Sequence, residues 1–279
     1  MALGLLRPEE LEQAIHIGTG RTLGDQMRSC GLDPEAVRGK PPHIDARRVK
    51  GYLELHIEQG PVLEHRAIPV GVVTSIRGNS RLRNARCLGA YNHGGATPQD
   101  MRQDAVVATA ELIQALDAKW REIDAAGRDL VYTIGKLYTD AKVHSLSKVP
   151  GEVSFSVDIR SGDPDVLAEL REFLPRTADE IASRRNVRFE LGKFAVTDPT
   201  VLDASLRRDL HAGCEALGLT TIDIASGGGH DAQDFVKAGI PAAMIFIRND
   251  HGSHVKEEAM RLEDFELGTR LLAWRLARD

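Results

Sequence analysis

Residues 53–61 read Leu-Glu-Leu-His-Ile-Glu-Gln-Gly-Pro. Leu53, Leu55 and Ile57 alternate with Glu54, His56 and Glu58, a period of two that fits a strand and not a helix. Gly60-Pro61 then stops the strand abruptly. A chain with this run presents a histidine near the end of a strand, with its imidazole aimed at the rim of a sheet. Such a residue is well placed to bind a metal, although a lone His is more often a hydrogen-bonded structural group.

The remaining pattern divides the chain. Residues 8 to 38 read as two short helical pieces broken around Gly18 to Gly20, and Pro41-Pro42 as a linker into the His56 strand. Residues 70 to 76 form a further strand, followed by Gly78-Asn79-Ser80 as a turn and hinge. Beyond it, residues 81 to 92 look extended and 101 to 122 helical, with Val106, Thr109, Leu112, Ile113, Leu116 and Trp120 on one face. Residues 130 to 138 read as a strand. Residues 152 to 160 set Val153, Phe155, Val157 and Ile159 against Ser154, Ser156 and Asp158, a half-buried antiparallel strand. Asp163-Pro164 opens the next helix, which Pro175 should kink or split. Val187, Phe189 and Leu191 alternate again. Strand, helix, strand, strand, helix, strand is the order of a ferredoxin-like unit.

A helix at about 203 to 217, a strand at 220 to 224, a buried strand at 241 to 247 and a helix over 262 to 277 complete the chain. The reading is an α/β domain, residues 1–78 and 195–279, interrupted by an inserted α+β lid at 79–194.

Net charge is −5 and basic residues are scattered, so no nucleic-acid footprint is visible. The longest apolar run, Ile240 to Ile247, is far short of a membrane span, and the opening residues lack the pattern of a signal peptide. Cys30, Cys87 and Cys214 are few, odd in number and widely spaced. They point to a reducing cytoplasm and not to a disulfide framework.

Three other segments carry polar groups suited to chemistry. Asp250-His251-Gly252-Ser253-His254 follows a buried strand, where α/β proteins place ligands; two His within four residues are, by themselves, ordinary loop composition. Ser226-Gly227-Gly228-Gly229-His230-Asp231 lets the backbone approach a ligand closely. It is not a phosphate loop, because no Lys-Ser/Thr follows. Asn92-His93-Gly94-Gly95-Ala96-Thr97-Pro98 reads as a loop leading into a helix, with Thr97 as cap and Pro98 in the first turn.

Taken whole, Glu54-Leu-His-Ile-Glu-Gln-Gly-Pro-Val-Leu-Glu64 resembles the amidase, carbamoylase and allantoate-hydrolase branch of the di-zinc aminoacylase and carboxypeptidase superfamily. The resemblance implies a metal-binding α/β domain with an inserted lid that also dimerises. It implies hydrolysis of a C–N bond in an N-carbamoyl amino acid, ureido acid or related linear amide, with aminoacylase or peptidase activity as the nearer competitor. His56 stands at a metal-ligand position and Gln59 at a substrate position. Gly252-Ser253-His254 with Glu258 matches the segment that supplies a second metal ligand, making His254 the choice over His251, in a loop one residue shorter than usual. Gly228 replaces the usual Ala of a Gly-Ala-Gly-His-Asp-Ala segment that lines the substrate pocket. His230 and Asp231 are read as supporting residues, because adjacent side chains diverge.

His93 inherits the role of a His that stabilises the oxyanion of the tetrahedral intermediate across the dimer. Arg102-Gln103-Asp104-Ala105 matches a second family segment a few residues downstream of that His. Arg160 matches an Arg that binds the substrate carboxylate. Its usual Asn partner is Ser147 here; a hydroxyl cannot make an amide's double contact, so the substrate should differ from allantoate.

The family's remaining ligands, a His-x-Asp pair, a bridging Asp and a Glu-Glu pair, come from a segment that by alignment ends near Ala2–Leu6. His43-Ile44-Asp45 and Glu9-Glu10 mimic two of these but lie at the wrong places. The expectation is a divalent-metal site, zinc first and manganese or cobalt as alternatives, that is incomplete. The chain alone would then show no measurable turnover. The reading from a different class is a non-catalytic homologue that dimerises and binds a small acid.

Overall fold

The computed structural model describes residues 3, 6–16, 18–38 and 43–278. The expected linker at Pro41-Pro42, and Ala2, Gly4 and Leu5 of the opening landmark, lie outside the described residues. The chain forms two compact units. One comprises residues 1–74, 202–224 and 228–279, the other residues 75–201 with 225–227.

The first unit begins with the short helices α1 (Glu10–Gln13) and α2 (Leu23–Ser29). Thr22 caps α2 through a reciprocal box with Asp25. Its sheet uses β1 (Tyr52–Ile57), β2 (Val70–Ile76), β12 (Thr221–Ser226) and β13 (Ala242–Ile247). β13 lies between β1 and β2, and β12 pairs with β2. β1 and β13 run parallel from Tyr52↔Ala242 to Ile57↔Ile247, while β2 is antiparallel to β13. The sheet is therefore mixed. Every residue of β13 is buried, as its unbroken apolar sequence requires of a central strand covered on both faces.

Helices α6 (Ala204–Leu217) and α8 (Leu262–Leu276) set Leu206, Leu210, Cys214 and Leu271 against Val70, Val72, Ala243 and Ile245. A Cβ on Gly213 of α6 would fall 2.6 Å from Leu271 and 2.7 Å from Trp274, so the absence of a side chain there lets the two helices close. Two short helices, α3 (Val62–His65) and α7 (Ala232–Lys237), carry no helical periodicity long enough to read from sequence. α7 packs against β1 and β13.

The second unit centres on an antiparallel pair, β3 (Gly78–Leu88) with β8 (Glu152–Ser161). β9 (Arg188–Glu190) and β10 (Ala195–Thr197) pair with the far side of β3. β5 (Val131–Thr133) and β6 (Leu137–Tyr138) pair with the far side of β8. The short ladder of β4 (Asn92–His93) and β7 (Lys148–Val149) stands apart, and β11 (Thr200–Val201) pairs with Ser75 and Ile76. Helices α4 (Ala105–Ala125) and α5 (Pro164–Arg185) cover one face, burying Leu112, Leu116, Leu170 and Leu174 against Phe155, Val157 and Ile159.

Four local expectations need correction. Gly78-Asn79-Ser80 is not a turn but the start of β3. A Cβ on Gly78 would lie 2.4 Å from the Pro199 nitrogen, so glycine serves a close backbone approach there. Pro175 does not split its helix: α5 runs unbroken to Arg185 and ends on Asn186 at φ 53°, held by the apolar stripe on both sides of the proline. Residues 130 to 138 form two short strands and not one. Asp104, not Thr97, caps the long helix, accepting from the amides of Val106 and Val107 at 3.0 and 3.1 Å.

Candidate metal centre

Alternation along β1 places Glu54 and His56 on one face, while Leu53 and Leu55 pack into the α6–α8 core. The His56 Nδ1 lies 2.8 Å from the carbonyl of Ile57. A carbonyl can only accept, so Nδ1 carries the proton and Nε2 keeps its lone pair for a ligand.

His230 comes to the same place from the glycine-rich loop. Its side chain is only 2% exposed and lies 3.5 Å from Glu54. Its ring meets His56 edge-on, with centroids 4.6 Å apart, and tilts over Phe246 at 5.6 Å. The other Glu54 oxygen accepts the amide of Ala232 at 2.9 Å, tying the loop to the strand. Burial would raise the Glu54 pKa. His230, the Ala232 amide and the charge of His56 together outweigh it, and the carboxyl is held below its ordinary value. One ligand atom from each of Glu54, His56 and His230 lies within 4.8 Å of the others; among the described residues this is the only such group. Two imidazoles and a carboxylate are the donor set of a first-row divalent ion.

His254 stands outside this group. It sits in the loop after β13 at φ 61°, its amide donating to Glu258 at 2.9 Å and its Nε2 3.2 Å from the Gln59 amide nitrogen. Glu258 is held below the usual carboxylate range, first by that amide and further by the charges of His254 and His56. Gln59, at φ 59°, donates its backbone N–H to Asn249 at 2.9 Å, and Asn249 donates in turn to the Gly252 carbonyl at 3.0 Å. The buried Asn249 thus pins the His254 loop to the end of β1. A Cβ on Gly228 would stand 3.4 Å from the Gln59 side-chain oxygen and 3.8 Å from His230, so that position borders both.

The structure therefore brings His56, Gln59, Gly228 and His254 to one rim and adds Glu54, His230 and Asn249. Glu54 was legible only as the polar alternate of a strand, and Asn249 carried no signal beyond its place after a buried strand. The reading of His230 as a supporting residue, from the divergence of adjacent side chains, needs correction. That divergence leaves His230 free to turn inward, while Asp231 stands at the start of α7.

The other expected residues lie in the second unit. His93 is exposed on β4, its Nδ1 accepting the Gly95 amide at 3.2 Å. The Gly94 amide donates to the Ser147 carbonyl at 2.6 Å, and a Cβ at 94 would come within 2.8 Å of that oxygen, so His93 and Ser147 share one glycine-dependent turn. Arg160 does not bond to Ser147; its guanidinium reaches Asp158 at 2.8 Å and the Gly227 carbonyl. The two lookalike motifs are occupied locally: Asp45 pairs with Arg47 at 3.0 Å, and Glu10 with Arg7 at 3.1 Å.

Comparison with known proteins points the same way. The pattern of Peptidase family M20/M25/M40 matches residues 19–277. The N-carbamoyl-L-amino acid amidohydrolase of Geobacillus stearothermophilus is 31% identical over 98% of this chain and 65% of its own. The allantoate amidohydrolase of Escherichia coli (strain K12) is 31% identical over 97% of this chain and 63% of its own. The crystal structure of an amidase of the hydantoinase/carbamoylase family from Burkholderia phymatum superposes with a TM-score of 0.79 at 32% identity, covering 93% of this chain and 61% of that one. The chain thus spans a little under two thirds of the length of the relatives it matches.

Proposed function

Because the chain belongs to Peptidase family M20/M25/M40, we propose that it carries the machinery for metal-dependent hydrolysis of a C–N bond in an N-carbamoyl amino acid, an allantoate-like acid or a related linear amide. The observation that carries this reading is the gathering of Glu54, His56 and His230 at the rim of β1. The named activities of the matched relatives support it. Zinc is the first choice of ion, with manganese and cobalt as alternatives that imidazole and carboxylate donors also suit. A bound divalent ion supplies a water of lowered pKa and polarises the amide carbonyl.

His56 would hold the ion through Nε2, with Glu54 and His230 as the donors gathered beside it and His254 as a further imidazole at the same rim. Glu54, kept ionised by its neighbours, offsets the ion's charge. Gln59 and Gly228 border the substrate. Arg160 takes the substrate carboxylate, Ser147 adds one hydroxyl contact, and His93 donates to the developing oxyanion. The chain acts as a homodimer through its second unit. There β5 and β6 leave an open sheet edge beside an apolar groove of about 310 Å³, whose wall includes Val106, Ile113, Leu137 and Tyr138. Cys30, Cys87 and Cys214 are unpaired, which supports a reducing cytoplasm as the compartment. Among the described residues no helix is long and apolar enough to cross a membrane.

Titration calorimetry with Zn²⁺, Mn²⁺ and Co²⁺ tests the centre. His56→Ala removes a ligand and should weaken binding by more than the ~10–100-fold that loss of a group merely supporting a ligand costs, and unchanged affinity would sink the assignment. Turnover of N-carbamoyl and ureido acids, measured on the same metal-loaded samples, decides between catalysis and the alternative of a non-catalytic acid-binding homologue.

A further inference from the structure

The solvent-facing side of the β3–β8–β5 sheet bears a groove of about 570 Å³ in the second unit. The whole chain is acidic, at −5. Yet this groove gathers four cations, Arg81, Arg83, Lys136 and Arg160, against the single carboxylate of Asp158.

The cations form two rows. In one, Asp158 is shared by Arg81 at 3.1 Å and Arg160 at 2.8 Å, leaving one positive charge over. In the other, Arg83 and Lys136 have no carboxylate partner among the described residues. A β-bulge builds this second row. Leu82 pairs with Val157 and Ala85 with Phe155, so Arg83 and Asn84 both stand opposite Ser156. On the far side of β8, the Lys136 amide donates to Ser156 Oγ at 3.1 Å, and the Ser156 amide donates to the Lys136 carbonyl at 3.0 Å. With its oxygen accepting from Lys136, the Ser156 hydroxyl keeps its hydrogen to give to a ligand. A Cβ on Gly135 would stand 3.8 Å from Ser156 Oγ, so that position borders the hydroxyl.

Ser156 thus lies on the floor of the groove, with Arg83 of β3 on one side and Lys136, between β5 and β6, on the other; neighbouring strand backbones lie about 4.8 Å apart. The Arg81–Asp158–Arg160 row is two residues farther along β8, roughly 7 Å away.

We propose that this groove binds a small linear dicarboxylic acid. One carboxylate rests on Ser156 between Arg83 and Lys136, and the other on the Arg81–Arg160 row. The roughly 7 Å between rows suits a diacid of adipate length. The site lies within one unit. It rests on the proposed function for the Arg160 end alone and deepens it, because Ser156, Arg83 and Lys136 supply a second, separate anchor, the one that the variants below test.

The test is titration calorimetry of the full chain with adipate, succinate and inorganic phosphate as probes. Adipate should bind at least about tenfold more tightly than either of the others, and Arg83→Ala and Lys136→Ala should each weaken it about tenfold, the loss of one charge-assisted contact. Arg83→Lys should keep most of the affinity, and Ser156→Ala should lose about threefold. Arg83 and Lys136 are exposed, and matching circular dichroism and melting curves verify that their variants remain folded. No detectable adipate binding, or binding unchanged in Arg83→Ala and Lys136→Ala, would overturn the site. Phosphate binding as tightly as adipate would overturn the diacid assignment.

Discussion

β1 and β8 have the same sequence pattern and opposite surroundings. Each alternates apolar and polar residues with a period of two. In β8 the pattern becomes a clean alternation of buried and half-buried positions, because α4 and α5 cover one face and nothing in the second unit covers the other. In β1 every residue is half-buried, because α8 packs on one face and α7 on the other. The polar residues of β8 therefore line an open groove, while Glu54 and His56 of β1 are enclosed. Alternation states which side chains share a face; it does not state what will cover that face. A carboxylate and an imidazole become a candidate metal centre only when a second element closes over them.

The largest expected contrast lies in the apolar alternates. Phe155→Ala on β8 should cost about 3–5 kcal/mol, since Phe155 is fully buried between sheet and helices. Denaturant midpoints measure this, and a loss under ~1 kcal/mol would break the picture of a one-sided core. Next comes the polar face of β1. Glu54→Ala leaves the Ala232 amide without its acceptor and removes the carboxylate beside His230, and should cost about 1–3 kcal/mol. An effect no larger than that of an exposed residue would mean that Glu54 is not enclosed as described.

The smallest effect concerns the polar face of β8. Asp158 loses to burial but gains more from Arg160 and Arg81, so its folded pKa lies below the ordinary value. A depressed carboxylate contributes stability that is fully present above its unfolded pKa of about 3.9 and is lost as pH falls through the folded value. Asp158→Asn should therefore cost about 1 kcal/mol at neutral pH, and the difference from the unaltered protein should shrink below about pH 4. A gap that stayed constant down to acid unfolding would argue that the Arg81–Asp158–Arg160 row is not electrostatic in origin.

What the sequence determined by itself is local in character. Period-two runs located β1 and β8, an unbroken apolar run located β13, and a one-faced apolar stripe located α4, because a short stretch of chain contains all that sets them. The ELHIEQGPVLE run was specific enough to indicate the family. Tertiary structure decided the rest. Whether Pro175 interrupts a helix depends on what anchors the turns around it, and whether Gly78 opens a turn or a strand depends on how close residue 199 comes. His230 reaches Glu54 and His56 from 174 or more positions away along the chain, through a loop whose path no local pattern encodes. The groove at Ser156 exists because a two-residue bulge on β3 changes which side chains face outward, and register is a property of the paired strands and not of either one alone.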